Sequence, residues 1–258
     1  MKQAEKESAT RCQTVVLNFT HTYDIEKLAQ NISCRYIDCT HLNGTDCYCD
    51  QDGCQKLKQL IKPYSPHGIH WIDSGDYHYI SKFWTDKIDY PFVLILFDHH
   101  PDMQPPLFEN LLSCGSWVQE MLQTNNYLQK VCIIGASEKL RKETEDYKDK
   151  IIFFGEEYKV NKETWQLFAK MHLKWPVYLS IDKDVLSPKY AKTNWDQGSL
   201  SLPQLEKILD LILRYENVIG IDICGELPPA LGGNIEDEYL NKKTNIILQQ
   251  FIEKVWRK

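Results

Sequence analysis

Eight short apolar runs punctuate the chain: TVVLNF, RYIDC, GIHWID, FVLILF, KVCIIG, KIIFF, PVYLSID and NVIGIDI. Each has the length of a strand. The stretches at 24–31, 54–62, 116–122, 161–171 and 203–215 place apolar side chains at the spacing of amphipathic helices. Strand alternating with helix predicts an α/β fold, a mostly parallel sheet wrapped by helices. LPQLEKILDLILRY is the clearest helix, with Ser201 as its N-cap and Pro203 in its first turn. In such a sheet ligands bind outside the carboxyl ends of the strands. The segments that follow these runs include THTYD, THLNGTDCYCD, SGDYHY, DHHPD, KDVLSP and CGELPP, so every unusual cluster is expected on one edge of the sheet.

The run LILFDHHPDMQ passes from aliphatic residues straight into Asp98, His99, His100, Pro101 and Asp102. In an extended chain successive side chains alternate, so Asp98, His100 and Asp102 point one way and His99 the other. The same parity in SIDKDVLSP puts Asp182 and Asp184 together with Lys183 turned away, and SGDYHYIS adds His78. Four carboxylates and two imidazoles supply enough ligands for two divalent ions if one or two carboxylates bridge. Gathering such charges unpaired would be costly.

Length and composition narrow the rest. At 258 residues and 43% apolar content, with no repeat or low-complexity linker, the chain is expected to form a single domain over 13–258. The first dozen residues, MKQAEKESATRC, are polar and expected to be disordered; they lack the apolar core of a signal peptide. No apolar run reaches membrane-spanning length, so a soluble, cytoplasmic protein is expected. A net charge of −6 without a basic stripe argues against nucleic acid or an anionic membrane as partner and mildly favours a cationic small substrate. Oligomeric state has no signature in the sequence.

Nine cysteines, an odd number, read as thiols rather than a disulfide framework. Cys34, Cys39, Cys47, Cys49 and Cys54 crowd one stretch without a Cys-x-x-Cys pair. Buried or pocket-lining thiols are the first expectation, ahead of a metal site or redox chemistry. Because this stretch follows the second strand, Cys47 and Cys49 are expected to frame the mouth of the metal pocket. Tyr23, with His21 and Asp24 after the first strand, would do the same or cap the following helix.

Asp98-His99-His100-Pro101-Asp102, with Ser180-Ile181-Asp182-Lys183-Asp184 and Pro188 downstream, resembles the ureohydrolase family of arginases and agmatinases, whose fold also underlies the metal-dependent histone deacetylases. Gly75-Asp76-Tyr77-His78 is similar to the family's Gly-Asp-His with Tyr77 inserted. Asp222-Ile223-Cys224-Gly225-Glu226 is similar to its Asp-Ile-x-Glu, again with one residue inserted. The resemblance implies a three-layer α/β/α fold and a binuclear site. One ion would lie among His78, Asp98, Asp102 and Asp182, the other among His100, Asp98, Asp182 and Asp184, with Asp98 and Asp182 bridging. An oxygen-rich, thiol-free shell suits two Mn²⁺ best, with Mg²⁺, Fe²⁺, Co²⁺ or Zn²⁺ as alternatives. The implied reaction is hydrolysis of a guanidinium carbon–nitrogen bond to urea and an amine, by a water whose pKa the two ions lower. Glu226 would grip the guanidinium by a bidentate hydrogen bond.

Two departures bear on mechanism and substrate. Cys114 stands where arginases keep a proton-shuttling histidine, and its thiol would carry that proton less readily. Gln104 replaces the asparagine that grips the free amino acid, and Pro105-Pro106 alters the loop. The expected partner is therefore a cationic guanidino small molecule, arginine-like or agmatine-like, or an arginine-containing peptide. Two rival readings are a metal-dependent amidohydrolase resembling the deacetylases, which the second set of ligands disfavours, and a non-catalytic, metal-stabilised binding protein, motivated by Cys114 and the displaced Glu226.

Overall fold

The computed structural model describes residues 13–105, 108, 111–157 and 161–256. The segment expected to be disordered, 1–12, lies outside the described residues, as does Pro106. Each of the eight apolar runs is a strand of one eight-stranded sheet: β1 (Gln13–Asn18), β2 (Arg35–Asp38), β4 (Gly68–Trp71), β5 (Phe92–Phe97), β7 (Leu128–Ala136), β8 (Ile151–Gly155), β9 (Val177–Asp182) and β10 (Val218–Cys224). The order is β2-β1-β4-β10-β9-β5-β7-β8 and every pairing is parallel. A two-stranded antiparallel ribbon, β3 (Tyr48–Cys49) with β6 (Leu112–Ser113), lies apart from it.

Side chains of alternating parity leave the sheet on opposite faces, and both faces are covered. On one, Leu94 and Leu96 pack with Leu57 and Ile61 of α3 (Gln51–Ile61), Phe83 and Trp84 of α4 (Ile80–Thr85), and Trp117 and Met121 of α5 (Trp117–Thr124). On the other, Val93, Ile95 and Phe97 pack with Trp165 of α6 (Lys162–His172), Leu205 and Leu209 of α7 (Leu202–Tyr215), and Leu248 and Ile252 of α8 (Ile235–Trp256). The molecule is thus a three-layer α/β/α sandwich. Ser201 and Gln204 form a capping box that starts α7, with Pro203 in the first turn as expected. The helix expected at 24–31 is broken into α1 (Thr22–Glu26) and α2 (Leu28–Asn31) by Lys27, whose φ of 54° interrupts the hydrogen-bond ladder.

The longest helix, α8, has no strong apolar stripe. Its buried face is Asn241, Thr244, Asn245, Leu248, Gln249 and Ile252, and most of these side chains are polar. Each is hydrogen-bonded across to the rest of the fold, Gln249 to the indole of Trp71 at 2.9 Å and Asn245 to Glu26 at 2.8 Å and Glu226 at 2.7 Å. Burial and the nearby Glu226 carboxylate push Glu26 up from 4.5 to about 9. Folded protein therefore keeps this proton while unfolded chain loses it near 4.5, so the group subtracts stability as pH rises between those values. Glu26→Gln should remove that slope. Urea unfolding should show the variant more stable than wild type by ~1–3 kcal/mol at pH 8, with little gain at pH 4.5. An equal effect at both pH values would contradict the assignment.

Candidate metal centre

The sheet order changes direction around β4, β10, β9 and β5, and the predicted residues gather outside the carboxyl ends of these strands. Gly75–Tyr77 forms one 3₁₀ turn after β4 and delivers His78, whose N–H bonds the Gly75 carbonyl at 3.0 Å. The inserted Tyr77 is taken up by this turn and stacks on Phe19 with centroids 4.0 Å apart. β5 ends at Phe97, so Asp98 to Asp102 is a loop and not an extended strand; Asp102 adopts a left-handed φ of 51°. The side chains of Asp98, His100 and Asp102 nevertheless converge, while His99 is not brought to the cleft. Asp182 ends β9, and its Oδ1 accepts the Asp184 N–H at 2.8 Å, which turns Asp184 in beside it.

Two groups of potential ligands result, His78 with Asp98 and Asp102, and His100 with Asp98 and Asp184, sharing Asp98. His78 Nδ1 lies 3.1 Å from both Asp98 and Asp102 and 3.7 Å from Asp182. His100 Nδ1 lies 2.8 Å from Asp184 and 3.6 Å from Asp98. Asp182 groups with His78 and with Cys224, whose thiol donates to it at 3.2 Å. All but His100 are buried. Outer contacts orient the donors. Ser180 donates to Asp222 at 2.6 Å and so accepts from His78 Nε2 at 2.8 Å, which leaves the Nδ1 lone pair of a neutral His78 facing the carboxylates. The indole of Trp117 donates to Asp102 at 2.5 Å.

The electrostatics describe a cluster with excess negative charge. Burial, then Asp184 and Asp98, push Asp182 up to about 8; burial and Asp98 push Asp184 up to about 6. Burial also raises Asp102. For His100 burial opposes protonation, but Asp184 and Asp98 outweigh it and push the imidazole up to about 12. His78 is raised likewise, against burial, by Cys224, Asp102 and Asp98. Four carboxylates and two imidazoles that share a buried volume form a donor set that divalent cations fit, a cation taking the place of the imidazole protons.

The cluster floors a cleft of about 170 Å³, with Gln104, Cys47 and Cys114 in its wall. Three expectations need correction. Glu226 is fully buried away from the cleft, paired with Lys183 and Asn245. The reason is Gly225, whose φ of 90° and lack of a side chain let the chain pass Asp182 and swing Glu226 behind it; a Cβ there would lie 2.3 Å from Asp182 Oδ1. Cys49 is buried in β3 of the ribbon, outside the cleft wall. Tyr23 is also buried and its hydroxyl accepts the Asp73 N–H at 2.9 Å, tying α1 to the segment after β4.

Cys114 lines the cleft but sits under the ribbon pairing, its N–H on the Cys47 carbonyl at 2.9 Å. The hydrogen bond with the Cys47 thiol, burial and Asp102 push its thiol far up, so it is a poor proton shuttle near neutrality. Small thiol reagents should therefore label the half-buried Cys47 well before Cys114, as read by mass mapping. Cys114→Ala should cost less than the ~10²–10⁴-fold typical of a true general acid or base. Faster labelling of Cys114 than of Cys47 would refute this.

Three residues escaped the sequence reading. Glu143 reaches the cleft with its Oε2 buried and without a hydrogen-bond partner. Trp195 forms a wall, and Asp76 anchors it at 3.0 Å. Glu143 lies in a polar 3₁₀ segment with no signal of its own, but Trp195 is a lone aromatic in KTNWDQG directly after the second acidic motif, and Asp76 precedes His78 by two residues.

A parallel α/β sheet with a buried carboxylate–imidazole cluster at its switch point has the makings of a metal-dependent enzyme. Residues 22–252 match the Arginase family, and the chain belongs to it. A protein of Thermotoga maritima whose function is uncharacterised is 28% identical over 214 residues, 83% of this chain and 80% of its own length. Among solved structures, Trypanosoma cruzi formiminoglutamase with Mn²⁺ is similar at a TM-score of 0.69 and 12% identity, covering 96% of each chain. Helicobacter pylori arginase is similar at 0.68 and 12%, covering 95% of this chain and 99% of its own. Among the described residues no helix is long and apolar enough to cross a membrane.

Proposed function

We propose that the protein is a binuclear hydrolase, best served by Mn²⁺, that cleaves the guanidinium carbon–nitrogen bond of a small cationic guanidino compound and releases urea. The observation that carries this reading is the pair of ligand groups sharing Asp98 at the floor of one cleft. Two divalent ions held there would activate a water and polarise the carbon it attacks. The chain's own groups do the remainder. Ser180 and Asp222 fix His78, Trp117 fixes Asp102, and the backbone N–H groups of His99 and Asp184 fix Asp184 and Asp182. Among the described residues no lysine or arginine lines the cleft, and the unpartnered Glu143 oxygen gives a substrate cation its counter-charge.

Manganese-loaded protein should be incubated with arginine, agmatine and other guanidino acids while urea and ammonia are assayed. Urea from at least one of them is expected. Release of amine from acylated substrates without urea from any guanidine would replace this reading by the amidohydrolase one.

A further inference from the structure

Glu226, the carboxylate that would hold a guanidinium, is turned away against Lys183, so the cleft must recognise a planar cation in another way. We infer that the indole of Trp195 is the platform on which the substrate's planar cationic group stacks, with Asp76 as the residue that positions it; this rests on the guanidino reading above. Trp195 is 40% exposed, yet its ring is tied down by a hydrogen bond. Its Nε1–H donates to Asp76 Oδ1 at 3.0 Å. The same buried carboxylate also accepts from Cys47 Sγ at 3.2 Å, Ser74 Oγ at 3.0 Å and Asn194 Nδ2 at 2.8 Å, so it stands in a frame of four donors.

The ring lies beside the candidate ligands in the cleft wall. Its centroid is 5.9 Å from that of His100 at an interplanar angle of 69°. A Cβ on Gly75 would fall 2.9 Å from both Trp195 Cδ1 and Asp182 Oδ2, so glycine there allows indole and ligand carboxylate to close on the same point. Delocalised guanidinium and amidinium ions are planar, weakly hydrated and stack on aromatic faces, indole being the best of them. Hydrolysis to neutral urea removes the charge that stacking recognises, which favours product release. An exposed tryptophan serving only as surface would need neither the Asp76 frame nor the bare Gly75.

The test uses the Mg²⁺-loaded protein, which is diamagnetic, with ¹⁵N-labelled indoles. Methylguanidinium should shift the Trp195 Nε1 resonance, assigned through Trp195→Phe, to saturation, and methylammonium should need about ten times the concentration. Trp195→Ala should weaken methylguanidinium binding about tenfold at unchanged metal content, while Trp195→Phe stays within about threefold. Asp76→Ala should behave like Trp195→Ala, and Asp76→Asn, which keeps an acceptor oxygen, should recover most of the affinity. A Trp195 resonance unmoved at saturation, or wild-type affinity in Trp195→Ala, would overturn the inference. Failure of the guanidino reading is a separate result, the absence of urea from every guanidine, and leaves these binding measurements standing.

Discussion

Asp98→Ala protein should carry less than one divalent ion per chain after manganese loading and lose urea-releasing activity by roughly 10³-fold or more. Asp98 is the residue common to both ligand groups, so its removal opens both at once. Lewis-acid stabilisation by bound metal is worth several kcal/mol, and each ~1.4 kcal/mol is a factor of ten in rate. Asp184→Ala and Asp102→Ala, which belong to one group each, should retain about one ion. Elemental analysis of the four proteins gives the comparison directly. If Asp98→Ala retained two ions, or wild type held only one and Asp184→Ala did not change it, the binuclear assignment would fail. Circular dichroism separates metal loss from unfolding, since Asp98 lies after β5 and outside the core contacts that Leu94 and Leu96 make.

Why the site and the sheet were legible, and other parts were not, follows from what each residue does. β4, β5, β9 and β10 are buried on both faces, so their sequences are short, mostly apolar runs whatever their order in the sheet, β5 unbroken and the others interrupted by buried polar residues such as His70, Ser180 and Asp222. Ligand residues directly after such runs can be read because the strand end itself places them. The expected alternation of side chains beyond Phe97 is not the cause of their convergence, however; the loop through Asp102 is. α8 was invisible to apolar periodicity because Asn241, Thr244, Asn245 and Gln249 occupy its buried stripe, where hydrogen bonds replace apolar contacts. Glu226 misled because one inserted residue, Gly225, changes where a carboxylate goes without changing its place in a motif. Glu143 and Trp195 come from segments whose path depends on tertiary packing; Glu143 has no local pattern, and Trp195 only its place as a lone aromatic after the second acidic motif.

The buried pair that Glu226 forms should show the largest stability effects in the molecule, and unequal ones. Lys183 Nζ reaches Glu226 Oε1 and, at 2.8 Å, Asn245 Oδ1, and both charged side chains are wholly buried. Removing one partner of a buried ion pair costs about 3–5 kcal/mol because a charge is left uncompensated. Lys183→Met should be at the upper end of that range, since it leaves Glu226 with only the protonated Glu26 and the Asn245 amide as buried neighbours and no cation. Glu226→Gln should cost less. Lys183 would then face Glu26, whose ionisation it already favours and Glu226 opposes, so a replacement counter-ion stands ready. Lys183→Met with Glu226→Leu should recover most of the loss, because an apolar pair removes both desolvation penalties. Urea unfolding of wild type, Lys183→Met, Glu226→Leu and the double variant at pH 7 forms a double-mutant cycle, with Glu226→Gln measured beside it. Glu226→Gln falling below Lys183→Met, or a double variant no better than the sum of the singles, would show that the pair does not act as described. Lys183 also lies between Asp182 and Asp184, so Lys183→Met should loosen the backbone that presents both carboxylates and lower the bound manganese before the fold is lost.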